Sequence, residues 1–275
     1  MVRRSPRASH RDGTRRRHRN PPASREEYGA VNRIVRDLLT EVDPRGGAAV
    51  VLAGSWARGD AHQASDIDLW VVGRRGRDRI LEREGYMVCV KFSRAEDERR
   101  EMRNPGRLDG AVPGWRHAKI LRDPKGVARA LRAEARRFRW SSVRRARTNY
   151  IANQLAGWAE EVAKLLRALE TGERETAAVQ RNLLANHMAF LRLIARGRLW
   201  ETENGLWEAA GALEGPEFRS LQRAALATDR TDWEGSCEAA LRLYALTARL
   251  SRRTLRGQNL RIVLAACRRA GYPLE

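Results

Sequence analysis

Lysine is nearly absent from this chain: it occurs only at positions 91, 119, 125 and 164. Arginine carries almost all the positive charge in a 275-residue sequence of net charge +20. An Arg bias with abundant Ala and Gly is what a GC-rich genome produces without selection for binding. The charge therefore reads first as a solvated basic surface; nucleic acid is compatible with it but not favoured. Cysteine is also scarce: Cys89, Cys237 and Cys267 are scattered and lack metal-ligand spacing. That excludes a disulfide framework and fits a reduced, cytoplasmic chain. No apolar run approaches the ~20 residues of a membrane span. No apolar segment follows the charged N-terminus, which argues against a secretory signal. No repeat of roughly 30–40 residues is present, which argues against a solenoid. What is there is a 42% hydrophobic content, enough for one large or two modest cores.

Residues 1–23 are Arg, Ser, Pro and His with little that is apolar, and a disordered tail is expected there. Ser24 and Glu27 form a capping-box signature. Tyr28, Val31, Ile34, Val35, Leu38, Leu39 and Val42 follow at helical spacing, and Pro44-Arg-Gly-Gly ends the helix.

Residues 48–73 carry the chemistry. An apolar run from Ala48 to Ala53 ends in Gly54-Ser55, and a second run from Leu69 to Val72 follows Ser65-Asp66-Ile67-Asp68. Both runs are short, β-branched and bounded by Gly, as buried strands are. The Gly54-Ser55 turn exposes backbone N–H groups, and residues after it can open a helix; both features favour phosphate oxygens. Asp66 and Asp68, two apart on a strand, leave the same face about 6–7 Å apart along it. Two such carboxylates repel unless a cation lies between them, and oxygen ligands suit Mg²⁺. A phosphate cradle facing two metal-binding carboxylates is apparatus for phosphoryl or nucleotidyl transfer.

At these residues the sequence resembles the DNA polymerase beta-type nucleotidyltransferase superfamily. The signature is Gly-Ser, a spacer, then Asp-x-Asp inside an apolar strand. Arg58-Gly59 and Ser65 match the subgroup reading Gly-Ser-x-Ala-Arg-Gly…Ser-Asp-Ile-Asp. The resemblance implies nucleotide binding by Gly54, Ser55, Arg58 and Ser65, and metal binding and catalysis by Asp66 and Asp68. In the superfamily the next strand usually brings a third carboxylate. Here that strand is Tyr86 to Phe92, and the acid's position holds Cys89. A thiol is a poor Mg²⁺ ligand.

The remaining expectations for this half are brief. Residues 77–84 are too short to assign, 94–103 read as a helix, and Asn104 to Gly114 reads as a loop. Ala118 to Arg122 reads as an edge strand closed by Asp123-Pro-Lys-Gly, and the domain boundary falls near Gly126. Beyond it, helices are expected at 127–139, 142–170, 174–196, 204–213, 217–227, 232–253 and 258–270.

The layout resembles kanamycin nucleotidyltransferase-like proteins, which carry a Glu-x-x-x-Lys pair in their helical half. Carried over, Glu160 is the base and Lys164 a phosphate contact, with Glu161 in reserve. Arg181 and His187 match the Arg…His spacing of HEPN ribonucleases, although His187 falls on an apolar helix face and reads as a core residue. His62 is treated as a loop residue. Trp56 and Trp70 are candidates to wall the site, and Trp200 and Trp207 to line an acceptor cleft.

The expected fold is an α/β (α+β) nucleotidyltransferase domain with a mixed sheet at 24–126, then an all-α helical bundle at 127–275. The expected activity is Mg²⁺-dependent transfer of a nucleoside monophosphate, AMP from ATP in the first instance, to a hydroxyl of an antibiotic-like small molecule. The alternatives are a protein adenylyltransferase of toxin–antitoxin type and a non-catalytic nucleotide- or RNA-binding module. No membrane partner is expected, and monomer and homodimer both remain open.

Overall fold

The computed structural model describes residues 21–202 and 204–274. Most of the expected disordered tail lies outside them. Its last residues are ordered: Pro22 bridges to His62, and the Ala23 N–H donates to the Ala61 carbonyl at 2.8 Å.

Helix α1 (Arg25–Val42) starts at the expected capping box, with Ser24 and Glu27 each bonding the other's backbone N–H. Its buried stripe of Val31, Ile34, Val35, Leu38 and Val42 covers one face of the sheet. Each such side chain contributes roughly 1.5–3 kcal/mol by leaving water. The five strands are β1 (Ala49–Ala53), β2 (Ile67–Val72), β3 (Arg79–Arg83), β4 (Tyr86–Ser93) and β5 (Lys119–Arg122), in the order β3-β4-β2-β1-β5. Among the described residues only β2 and β4 pair in parallel. β3 fills the stretch that the sequence leaves unassigned; its residues are mostly exposed, so no apolar alternation marks it.

The other face of the sheet packs on α4 (Leu108–His117) and α5 (Val127–Arg137), with α3 (Ala95–Glu101) beside them. α4 corrects the expected loop. Gly110, Pro113 and Gly114 argue against a helix locally, but Leu108, Ala111, Val112 and Trp115 all bury against the sheet, and burial outweighs propensity here. Gly114 is also needed for contact, because a Cβ there would lie 2.3 Å from the Trp70 ring. The expected boundary at 126 coincides with the start of α5, yet Ala128, Leu131, Ala135 and Val143 still belong to the sheet's core.

The rest is helical: α6 (Arg144–Gly157), α7 (Ala159–Thr171), α8 (Arg174–Ala195), α9 (Leu206–Glu214), α10 (Pro216–Ala225), α11 (Trp233–Leu250) and α12 (Gly257–Arg269). The single long helix expected over 142–170 is two helices that meet at Trp158, just after Gly157. α11 is buried on several sides, and Tyr244 within it donates to the Leu155 carbonyl at 2.8 Å. Glu214 at the end of α9 is buried and tied to α8 by Arg192 and Arg196, at 2.9 and 2.8 Å. This chain thus has an α/β unit with a mixed sheet followed by a helical bundle. Among the described residues no helix is long and apolar enough to cross a membrane.

Beside the sheet, Glu98 of α3 is only 1% exposed. It accepts from the Trp115 indole at 2.8 Å and pairs with Lys91 at 2.9 Å. Substituting Lys91→Met leaves a buried carboxylate without its cation. Urea unfolding at neutral pH should show a loss of about 3 kcal/mol.

Candidate nucleotide and metal site

The site forms where β1 hands over to α2 (Gly54–Arg58) beside β2. β1 pairs antiparallel with β2 so that Ala53 faces Asp68. The next residue, Gly54, has φ +65°, and a Cβ on it would come 2.2 Å from Asp68 Oδ2. Only glycine fits so close to the carboxylate with that backbone. Gly59, with φ +91°, closes the helix, and its N–H donates to the Ser55 carbonyl at 2.8 Å. No side chain caps the start of α2. The first amides of a helix have no partners inside it.

β2 and β4 run parallel with Asp68 beside Cys89 and Ile67 beside Val88. Ile67 and Val88 point into the α1 core, so Asp68 and Cys89 point to the opposite face. There Asp66, Asp68 and Cys89 each offer a ligand atom, all within 4.8 Å of one another. The position that the superfamily pattern assigns to a third acid is thus adjacent to the Asp pair and holds sulfur. The Cys89 thiol donates to Asp66 Oδ2 across 3.8 Å. Burial, then the charges of Asp66 and Asp68, push that thiol up from its ordinary pKa. Burial and the neighbouring Asp66 likewise push Asp68 up to about 6, with Arg58 opposing. Like charges this close need a cation, and two carboxylates with a third donor fit a divalent metal ion.

Gly54, Ser55, Arg58, Ser65, Asp66 and Asp68 all line one cavity of about 830 Å³. The helical half contributes Glu201, Thr202 and Asn204 to it. Arg58, itself mostly buried, holds the two halves together. Its Nε pairs with Asp60 at 3.2 Å, and its Nη1 donates to the Glu201 carbonyl at 3.2 Å. His117 at the end of α4 bonds the Glu201 carboxylate at 2.9 Å. Ser65 is largely structural: its hydroxyl accepts from the His62 N–H at 3.0 Å and its carbonyl accepts from the Trp56 indole at 3.3 Å.

Other expected residues lie elsewhere. Glu160 and Lys164 pair at 2.7 Å on the exposed side of α7, and Lys164 also meets Glu161 at 3.3 Å. Glu160 borders a separate depression between α6, α7 and α12. Trp56 is fully buried between Tyr28 and Tyr86, so it is a core residue and not a wall of the site. Trp70 shares the face of Asp68 but packs on Trp115 and Lys91. Trp200 packs on Phe190, and Trp207 lines a pocket between α9 and α10. His187, expected in the core, is half-buried beside it: Nδ1 bonds the Leu183 carbonyl at 3.0 Å, the ring lies on Trp158, and burial lowers its pKa. Arg181 instead reaches Ser236 at 2.9 Å and Trp233. Sequence reading missed Glu201, which has no motif around it and reaches the cavity only through the loop before α9.

Residues 31–126 match the family model of a nucleotidyltransferase domain. The stretch runs from α1 to the turn before α5 and includes every residue that places the Asp pair. Among solved structures, a nucleotidyltransferase-like protein from Exiguobacterium sibiricum 255-15 is similar, with a TM-score of 0.53 and 14% sequence identity. The similarity covers 87% of this chain and 80% of that one, so it extends into the helical half. At that identity it shows the shared fold. No curated protein matches the chain.

The raised Asp68 pKa carries a stability prediction for the metal-free protein. The folded state holds this proton more tightly than the unfolded chain, whose value is near 3.8. Stability from this group is therefore lost as pH rises from about 4 to about 6. Above that window the ionised Asp68 costs about 3 kcal/mol. With a chelator present, Asp68→Asn should raise unfolding stability at pH 8 by up to about that amount and change it little at pH 4.

Proposed function

We propose that this chain is a divalent-metal-dependent nucleotidyltransferase. It takes a nucleoside triphosphate, ATP in the first instance, and transfers the nucleoside monophosphate to a hydroxyl of a small, antibiotic-like acceptor. The observation that carries the reading is one cavity in which the Gly54-Ser55 turn faces Asp66 and Asp68. The match of residues 31–126 to a nucleotidyltransferase domain supports the same chemistry. Asp66 and Asp68 would hold the metal, with Mg²⁺ as the ordinary partner of such carboxylates; when bound it supplies positive charge to the triphosphate. The Ser55 hydroxyl and the first amides of α2 hold phosphate oxygens, and Arg58 adds charge beside them. The acceptor oxygen attacks the α-phosphorus in line with the bond to the bridging oxygen. That bond breaks, pyrophosphate leaves, and the hydroxyl proton passes to a base.

The base in this reading is Glu201, not Glu160. Glu201 lines the cavity with the Asp pair, whereas Glu160 borders a different depression. His117 orients the Glu201 carboxylate through their 2.9 Å contact. Local charge supports this acceptor class. In a chain of net charge +20, this cavity sets four acids, Asp60, Asp66, Asp68 and Glu201, against Arg58 and His62. Such a surface suits a hydroxyl-rich cation. Lys164, engaged by Glu160 and Glu161, takes no part in this scheme. A second reading, a module that binds nucleotide without turnover, is favoured by the thiol at the third ligand position.

Pyrophosphate release from ATP with Mg²⁺ and a panel of amino- and hydroxyl-bearing acceptors separates the two. Asp66→Asn should abolish release; unchanged release would overturn the enzyme reading, and ATP binding without turnover in the wild type would favour the module. Glu201→Gln should lower turnover about 10²- to 10⁴-fold, as loss of a general base does. Glu160→Gln should leave it unchanged, and the reverse pattern would return the base to Glu160.

A further inference from the structure

We infer that Cys89 is a metal ligand, so that Asp66, Asp68 and Cys89 form a mixed oxygen–sulfur site that prefers a thiophilic divalent ion such as Zn²⁺ or Cd²⁺ over Mg²⁺. The inference deepens the proposed function, since it concerns the same metal position.

Three observations lead to it. The parallel register of β2 and β4 sets Cys89 directly beside Asp68, on the same face of the sheet. Cys89 Sγ lies 3.8 Å from Asp66 Oδ2, and the ligand atoms of all three residues fall within 4.8 Å of one another. A tetrahedral ion with bonds of about 2.3 Å to sulfur and about 2.1 Å to oxygen separates those donors by about 3.6 Å. The spacing already present therefore needs only small side-chain adjustment to close on one ion. Among the described residues this is the one cluster with such spacing.

The donor set then decides the ion. Mg²⁺ takes hard oxygen donors and gains little from sulfur, whereas Zn²⁺ and Cd²⁺ bind thiolate strongly, with the thiol proton released to solvent on binding. Replacing a third carboxylate by a thiol weakens a Mg²⁺ site and retains or improves a thiophilic one. The other two cysteines cannot substitute. Cys237 and Cys267 are fully buried in the helical core.

The test is titration of the full chain with Cd²⁺, reading the ultraviolet sulfur-to-metal charge-transfer band. Wild type should show a saturable band that is absent from Cys89→Ser. Asp66→Asn, which keeps the thiol, should bind Cd²⁺ at least about tenfold more weakly, since even outer-sphere partners change metal affinity about 10- to 100-fold. Cys89→Asp should lose the band and gain Mg²⁺ affinity by calorimetry, so that the Cd²⁺-to-Mg²⁺ affinity ratio falls at least tenfold. Circular dichroism and thermal melts confirm that each variant is folded. No band in wild type, or an equal band in Cys89→Ser, overturns the inference. A band of unchanged affinity in Asp66→Asn also overturns it, because Asp66 would then not be a ligand of the ion. Failure here is separable from failure of the proposed function. Pyrophosphate release with Mg²⁺ but no thiolate band leaves the function standing. A thiolate band with no release under any metal leaves a metal site without that activity.

Discussion

Two carboxylates held close together on one face of the sheet are the constraint around which this chain is built. Asp68 is pressed against the Gly54 backbone on one side and against Cys89 on the other. Asp66 completes the group. Every neighbouring feature bears on that crowding. Gly54 is glycine because no Cβ fits. Arg58 is turned back over the turn, where its charge relieves Asp68. Burial and repulsion together keep Asp68 poised to accept a cation, because a cation removes the cost of ionising it.

The rest of the fold serves to hold that group still. β1, β2 and β4 lie at the middle of the sheet, and α1 seals one face. α4 and α5 seal the other, with Trp70, Trp115 and Lys91 filling the space beyond the Asp pair. The buried Glu98 pins α3 to this face through Lys91 and Trp115. The helical half reaches the centre through the loop at Glu201, which Arg58 and His117 anchor. A cavity closed by two halves of one chain is a common place for a two-substrate reaction, because each half can bring its own partner.

The sheet-forming half was legible in sequence wherever a pattern was strong. The capping box, the α1 stripe, the Gly-Ser turn and the Asp-x-Asp strand all rest on local rules that tertiary context left intact. Misreadings fell where context overrode those rules. α4 forms despite Gly110, Pro113 and Gly114 because four of its side chains bury against the sheet. β3 was unassigned because an exposed edge strand has no apolar alternation to show. Trp56 is a candidate wall of the site in sequence because it follows Ser55, yet in the fold it lies buried between two tyrosines.

What the sequence by itself determined is the local chemistry: a glycine turn, two acids of one face, and a thiol where a third acid is expected. The turn and the two acids depend only on spacing along single strands, and the expected place of the third acid comes from the family resemblance. What only the tertiary structure decided is which distant groups share a cavity with them. The parallel pairing of β2 with β4 makes Cys89 a neighbour of Asp68. The loop before α9 brings in Glu201, and α7 carries Glu160 to another depression. Those placements follow from how helices and strands from remote parts of the chain pack, and no local spacing encodes them.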